Sequence, residues 1–183
     1  ICLYPLSANA QTKGNTLVYN WFAPEQNQKK YPAVLVLGGS EGGLNYGEQW
    51  ANVLVKEGFG VMALAYFGVE HLNKQLIDVP LEYFQAALDT LKSKQGVDTN
   101  NIIIISISKG TEPALLLAST NKSVKLVIAA SPSHVVWQGI DRENFSSVSS
   151  SWSKENKPIP FVAFDYSKGY YPIINFYLGA LEK

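Results

Sequence analysis

The fold class this sequence predicts is α/β: a mostly parallel sheet with helices on both faces. Three observations carry that prediction. Short, continuously apolar runs recur along the chain, as strands buried on both faces require. Between them lie segments whose apolar residues step by three and four, the spacing of an amphipathic helix. Each run ends in glycine, serine or proline, so strand and helix alternate with short breaks, the order that builds a parallel sheet with right-handed crossovers.

Thr16–Phe22 opens the series as a strand rich in β-branched and aromatic residues. A polar loop, Pro24 to Lys30, leads to the first buried strand, Ala33–Leu37. Gly38-Gly39-Ser40-Glu41-Gly42-Gly43 breaks it. Tyr46–Glu57 reads as a helix with Trp50, Val53 and Leu54 on one face, stopped by Gly58 and Gly60. Val61–Tyr66 is the second buried strand. Pro80–Lys94 is a helix, with proline allowed at its start, and Leu81, Phe84, Ala87, Leu88 and Leu91 make its buried face. Asn101–Ser108 is the third buried strand and Lys109–Thr120 the helix after it, Pro113 falling in its tolerant first turn. Val124–Ala130 is the fourth.

After Ser131 the pattern changes. A serine-rich stretch, Ser146–Ser153, precedes an extended Lys157-Pro158-Ile159-Pro160 and an aromatic tail of Tyr166, Tyr170, Tyr171, Phe176 and Tyr177. Residues 131–183 read as a cap-like insertion on a domain spanning 11–183. Residues 1–10 are apolar, and Ala8-Asn9-Ala10 before Gln11 has the small-x-small form of a signal-peptidase site. The expectation is a clipped secretory leader and a periplasmic or secreted protein; an ordinary apolar strand in a cytoplasmic one is the alternative.

Composition narrows the function. The 183 residues, 46% of them hydrophobic, suffice for one core rather than two. Fifteen basic and fifteen acidic residues cancel, without the basic run a nucleic-acid surface needs. No apolar segment approaches the roughly 20 residues of a membrane-spanning helix. One cysteine, Cys2, offers neither a disulfide within the chain nor a thiolate metal site. No metal and no cofactor is expected.

The chemistry is concentrated where the third buried strand meets its helix, at Ser106-Ile107-Ser108-Lys109-Gly110. This approximates Gly-x-Ser-x-Gly, the nucleophile elbow, in which a sharp strand-to-helix turn lifts a serine oxygen above the sheet. Ser106 replaces the first glycine with another small residue. Ser108 is the expected nucleophile. The backbone N–H of Lys109, at a helix start, is the expected oxyanion donor. The Gly38–Gly43 loop opens at the same carboxyl edge of the sheet, where ligands of open α/β sheets bind. The N–H of Ser40, with Glu41 beside it, is the second donor candidate, and Gly39, Glu41 and His134 are expected to line the substrate site. The loop lacks the spacing of either common phosphate-binding glycine motif; a plain flexible turn is its other reading. Of the two histidines, His71 precedes the elbow and reads as a loop residue, while His134 lies near the end of the fourth strand. Neither fits the chain order serine, acid, histidine. Asp165 reads as a loop residue, with no histidine after it.

Together, Pro32–Leu44, Gly58–Tyr66, Pro80–Phe84, Ser108-Lys109-Gly110 and Ser131–Val136 resemble the C-terminal catalytic domain shared by acyl-CoA thioesterases and bile acid-CoA:amino acid N-acyltransferases, in its bacterial branch. The resemblance covers about Tyr31 to Gly139. It implies an α/β-hydrolase-like fold and a serine or cysteine nucleophile at the position of Ser108. The substrate would be a small-molecule acyl ester or thioester, passed to water or, as an alternative, to an amine. A non-catalytic binding domain of the same fold is the third reading. The family's N-terminal β-sandwich domain has no room before Tyr31, and its acid and histidine lie on later strands, so the expectation is a fragment truncated at both ends, ending before the last strands. Losing the base of a serine protease lowers the rate about 10⁶-fold, roughly 8 kcal/mol of barrier. The chain alone is therefore expected to be nearly inactive, with its fourth strand left as an exposed edge.

Overall fold

The apolar runs pair side by side in one sheet. The structure is a computed structural model describing residues 6–12, 15–25, 30–144 and 146–164. In chain order its elements are β1 (Leu6–Thr12), β2 (Asn15–Phe22), β3 (Tyr31–Leu37), α1 (Asn45–Leu54), β4 (Gly60–Ala65), β5 (Val79–Pro80), α2 (Leu81–Lys92), β6 (Val97–Ile107), a 3₁₀ turn (Ser108–Gly110), α3 (Thr111–Thr120), β7 (Val124–Ala130), β8 (Trp152–Lys154) and β9 (Lys157–Pro158). The main sheet runs β1-β2-β4-β3-β6-β7. β3, β4, β6 and β7 are parallel, while β2 is antiparallel to both β1 and β4. β1 includes the Ala8-Asn9-Ala10-Gln11 stretch and pairs with β2 from Leu6↔Trp21 to Thr12↔Asn15.

Successive residues of a strand face opposite sides of the sheet, and each side has its own helices. Leu35, Leu37, Met62, Leu64, Ile102 and Ile104 pack with α2 and α3. Val34, Val36, Val61, Ala63 and Ile105 pack with α1. Both sides of the central strands are thus dry, which is why those runs are continuously apolar. β2 instead alternates, burying Leu17, Tyr19 and Trp21.

Several boundaries shift from the sequence reading. α1 ends at Leu54, not Glu57. Pro80 caps α2 in an extended conformation rather than joining it. β6 begins at Val97, four residues before Asn101. The helix expected from Lys109 begins as a 3₁₀ turn and becomes α-helical at Thr111. One expectation is corrected: β7 is not buried on both faces. Leu126 and Ile128 are about half exposed, whereas Val127 packs into the α2–α3 side, because no described helix covers the other face of this strand.

Beyond β7 there is no further strand–helix unit among the described residues. The chain returns across the carboxyl edge through the bridges Leu76↔Ile140, Trp137↔Val162 and Gln138↔Ser150. β8 joins β5 and β9 in a small second sheet. Trp152, fully buried, anchors it between Tyr66 and Phe84, with ring centroids 5.7 and 5.6 Å away. Asp165 and the aromatic tail lie outside the described residues. No helix among the described residues is long and apolar enough to cross a membrane.

Candidate active site

Ser108 stands at the corner. Ile107 ends β6 in extended conformation, and Ser108 turns to φ +50°. For a non-glycine residue this left-handed geometry stores about 1–3 kcal/mol of strain, a cost characteristic of the sharp strand-to-helix turn in a nucleophile elbow. Ser108 is exposed, while Ser106, two residues back, is fully buried and donates a long hydrogen bond (3.4 Å) to the Ile128 carbonyl of β7. Gly110 shows why the far side of the motif is glycine: a Cβ there would run into the carbonyl oxygen of Gly38. The absent side chain lets the 3₁₀ turn sit directly on the end of β3.

That contact sets the glycine loop beside the elbow. A Cβ on Gly39 would lie 3.1 Å from the Cβ of Ser108. The loop holds itself in place. Gly39 N–H donates to Glu41 Oε1 at 2.7 Å. The buried Tyr66 hydroxyl donates to the carbonyls of Gly38 (2.5 Å) and Gly39 (3.2 Å). Burial, then the nearby carboxylates of Glu41 and Glu112, push the Tyr66 pKa far up, so it remains a donor.

A cavity of about 290 Å³ opens over this corner. Ser40, Ser108, Lys109 and Glu112 contribute to its wall from the loop and elbow; Ser131, Pro132, Ser133, Trp137, Ile140 and Phe164 contribute from the returning chain. Trp137 and Phe164 stack 5.7 Å apart, 15° from parallel. Arg142 donates from Nη2 to the Ser40 carbonyl at 2.6 Å, tying the returning chain to the glycine loop. Of the residues expected at the site, Ser108, Ser40 and Lys109 come together here. Gly39 and Glu41 support the loop from outside the cavity wall. His134 is exposed and lies outside the wall, though Ser133 is in it. His71, at φ +70°, borders a different cavity of about 350 Å³ with Tyr66 and Tyr83. Among the described residues no histidine lines the Ser108 cavity, and no group of three metal-ligating side chains occurs.

The sequence reading used only the backbone of Lys109. Its side chain turns inward, 7% exposed, and pairs with Glu112 at 2.8 and 3.0 Å. Lys109 Nζ also donates to the carbonyls of Trp137 (3.1 Å) and Gln138 (3.4 Å). Glu112 Oε2 accepts from the Trp152 indole at 2.7 Å and from Trp137 N–H at 3.4 Å. Burial outweighs the mutual attraction of the pair: it lowers the Lys109 pKa and raises that of Glu112. Two charged residues three apart at the head of an otherwise apolar helix were the available sequence signal.

Residues 79–161, from the start of β5 to three residues past β9, match the family described as BAAT / Acyl-CoA thioester hydrolase C terminal. This is the family that the sequence resembles; the match speaks to the family and not to its bacterial branch. The matched segment contains Ser108, Lys109 and Glu112; the glycine loop lies outside it. A rat acyl-coenzyme A amino acid N-acyltransferase 2 is 40% identical over 94 residues, 51% of this chain and 22% of that protein. The mouse acyl-coenzyme A thioesterase 6 is 42% identical over 90 residues, 49% of this chain and 21% of that protein. The chain thus spans about a fifth of these relatives. Among solved structures, the α/β hydrolase GrgF from Penicillium aligns with a TM-score of 0.63 at 19% identity, covering 74% of this chain and 48% of that one. A dienelactone hydrolase-like phosphotriesterase, P91, aligns at 0.58 and 20%, covering 69% and 58%. The fold is α/β-hydrolase-like.

Proposed function

We propose that this chain carries the nucleophile of an enzyme that transfers acyl groups from esters or thioesters, with an acyl-CoA-like thioester as the leading substrate class. The observation that carries the reading is Ser108: an exposed hydroxyl-bearing residue held at φ +50° on the strand–helix corner, against the glycine loop. In this reading the Ser108 oxygen adds to the acyl carbonyl while its proton passes to a base. The N–H groups of Lys109 and Ser40 receive the oxyanion. The thiolate or alkoxide leaves as the carbonyl re-forms, giving an acyl-serine. Water then adds to that ester, and serine leaves with a proton. The cavity between Trp137, Ile140 and Phe164 suits the apolar part of an acyl group. Aminolysis is the second reading, favoured by the similarity to an N-acyltransferase as strong as that to a thioesterase.

The test is a fluorophosphonate probe on the natural full-length protein. The expected adduct is on Ser108, and Ser108→Ala should abolish it. Labelling that survives this substitution would put the reactive nucleophile elsewhere and overturn the Ser108 reading; none at all would leave the fold as a binding domain. Offering an acylated enzyme water or an amino acid then separates hydrolysis from aminolysis.

A further inference from the structure

The buried Lys109–Glu112 pair has no part in the bond-making steps above, yet it touches both halves of the site. Lys109 follows the nucleophile directly, and its Nζ reaches past Glu112 to two carbonyls of the returning chain. Glu112, in the first turn of α3, accepts N–H groups from Trp137 and from Trp152. The two carbonyls and both indole residues belong to the segment that walls the cavity and anchors it in the core. An ion pair this enclosed is a poor means of adding stability, since two ions lose their hydration. What it supplies is geometry: charge-assisted bonds of 2.7–3.1 Å fix donors and acceptors in place. We propose that Lys109 and Glu112 are positioning residues, a charged clamp that locks the Trp137–Gln138 wall onto the elbow and so sets where an acyl group lies relative to Ser108.

The inference rests on the acyl-transfer reading for its kinetic consequence, but the clamp itself can be read separately. Single removal of either partner strands a buried charge and threatens the fold. The decisive variant is therefore Lys109→Met with Glu112→Gln, which removes both charges, with Lys109→Arg as the conservative control. In the natural full-length protein the double variant should keep its far-UV circular dichroism. Its saturating rate of fluorophosphonate labelling should fall by up to about 10²-fold, as expected when a reacting group is misplaced by an ångström, while the probe concentration for half-saturation changes little. Lys109→Arg should restore most of the rate. In parallel, the amides of Gln138 and Gly139, bonded to Val162 and Ser149, should exchange hydrogen faster in the double variant. Labelling at the wild-type rate in a folded double variant overturns the proposal. Should the wild type itself take no label, the nucleophile reading falls; unchanged exchange at Gln138 and Gly139 would then overturn the clamp as well, and faster exchange would sustain it.

Discussion

Ser108 holds an exposed side chain on a strained backbone. An L-residue in the left-handed region loses roughly 1–2 kcal/mol relative to its relaxed conformation, and glycine escapes that penalty. Ser108→Gly should therefore be more stable to urea than Ser108→Ala by about 1 kcal/mol, although both lack the hydroxyl. Equal midpoints would mean that the corner is relaxed. Gly110 marks the opposite limit, where even a methyl group meets the Gly38 carbonyl. At this scale the sequence was informative about the corner's shape and silent about its side-chain partners. A small residue on each side of a serine after an isoleucine run announces a tight corner. Nothing in that spacing says that the intervening lysine turns inward, because its partner's orientation depends on Trp137 and Trp152, 28 and 43 positions further on.

The elements most legible beforehand were those whose pattern is fixed by burial on two faces. β3 and β4 fall within a residue or two of their apolar runs, since every position must be dry. The β8–β9 hairpin escaped notice, because three residues pairing with two carry little periodicity. Its turn was hidden for a chemical reason. Lys154 pairs with Lys157, leaving Glu155 and Asn156 as a two-residue loop at φ +52° and +60°. Positive φ at both positions is the type I′ pattern, for which Asn-Gly is the favoured sequence; Glu-Asn is a weak version of it. The Glu155 N–H is held by Glu82 Oε1 at 2.8 Å, which fixes the turn from α2 instead. Replacing Glu155 by Asn and Asn156 by Gly should raise stability by about 0.5–1 kcal/mol in chemical denaturation. A loss would show that the Glu155 side chain contributes to the turn.

Across the whole molecule, the two faces of the sheet are unequally covered, and the imbalance falls on β7. On the α2–α3 side Val127 packs against the core. On the other side α1 reaches Ile105, but Leu126 and Ile128, paired with Ile103 and Ile105 in the register, are 49% and 46% exposed. Among the described residues β7 is also paired along one edge alone. An apolar stripe beside an unpaired edge is the arrangement that promotes self-association. The sequence forecast the edge but not the uneven burial, because Val124–Ala130 reads as uniformly apolar apart from Lys125 whichever face is open. A charged residue separates the two faces experimentally. In the 183-residue chain, Ile128→Lys should leave the unfolding free energy within about 0.5 kcal/mol of the parent, as for a surface change, and lower light scattering at high protein concentration. Val127→Lys, one position along and facing the core, should lose more than about 1 kcal/mol. If Ile128→Lys is as destabilising as Val127→Lys, the outer face of β7 is covered in solution. If scattering is unchanged while stability holds, association proceeds elsewhere than on this stripe.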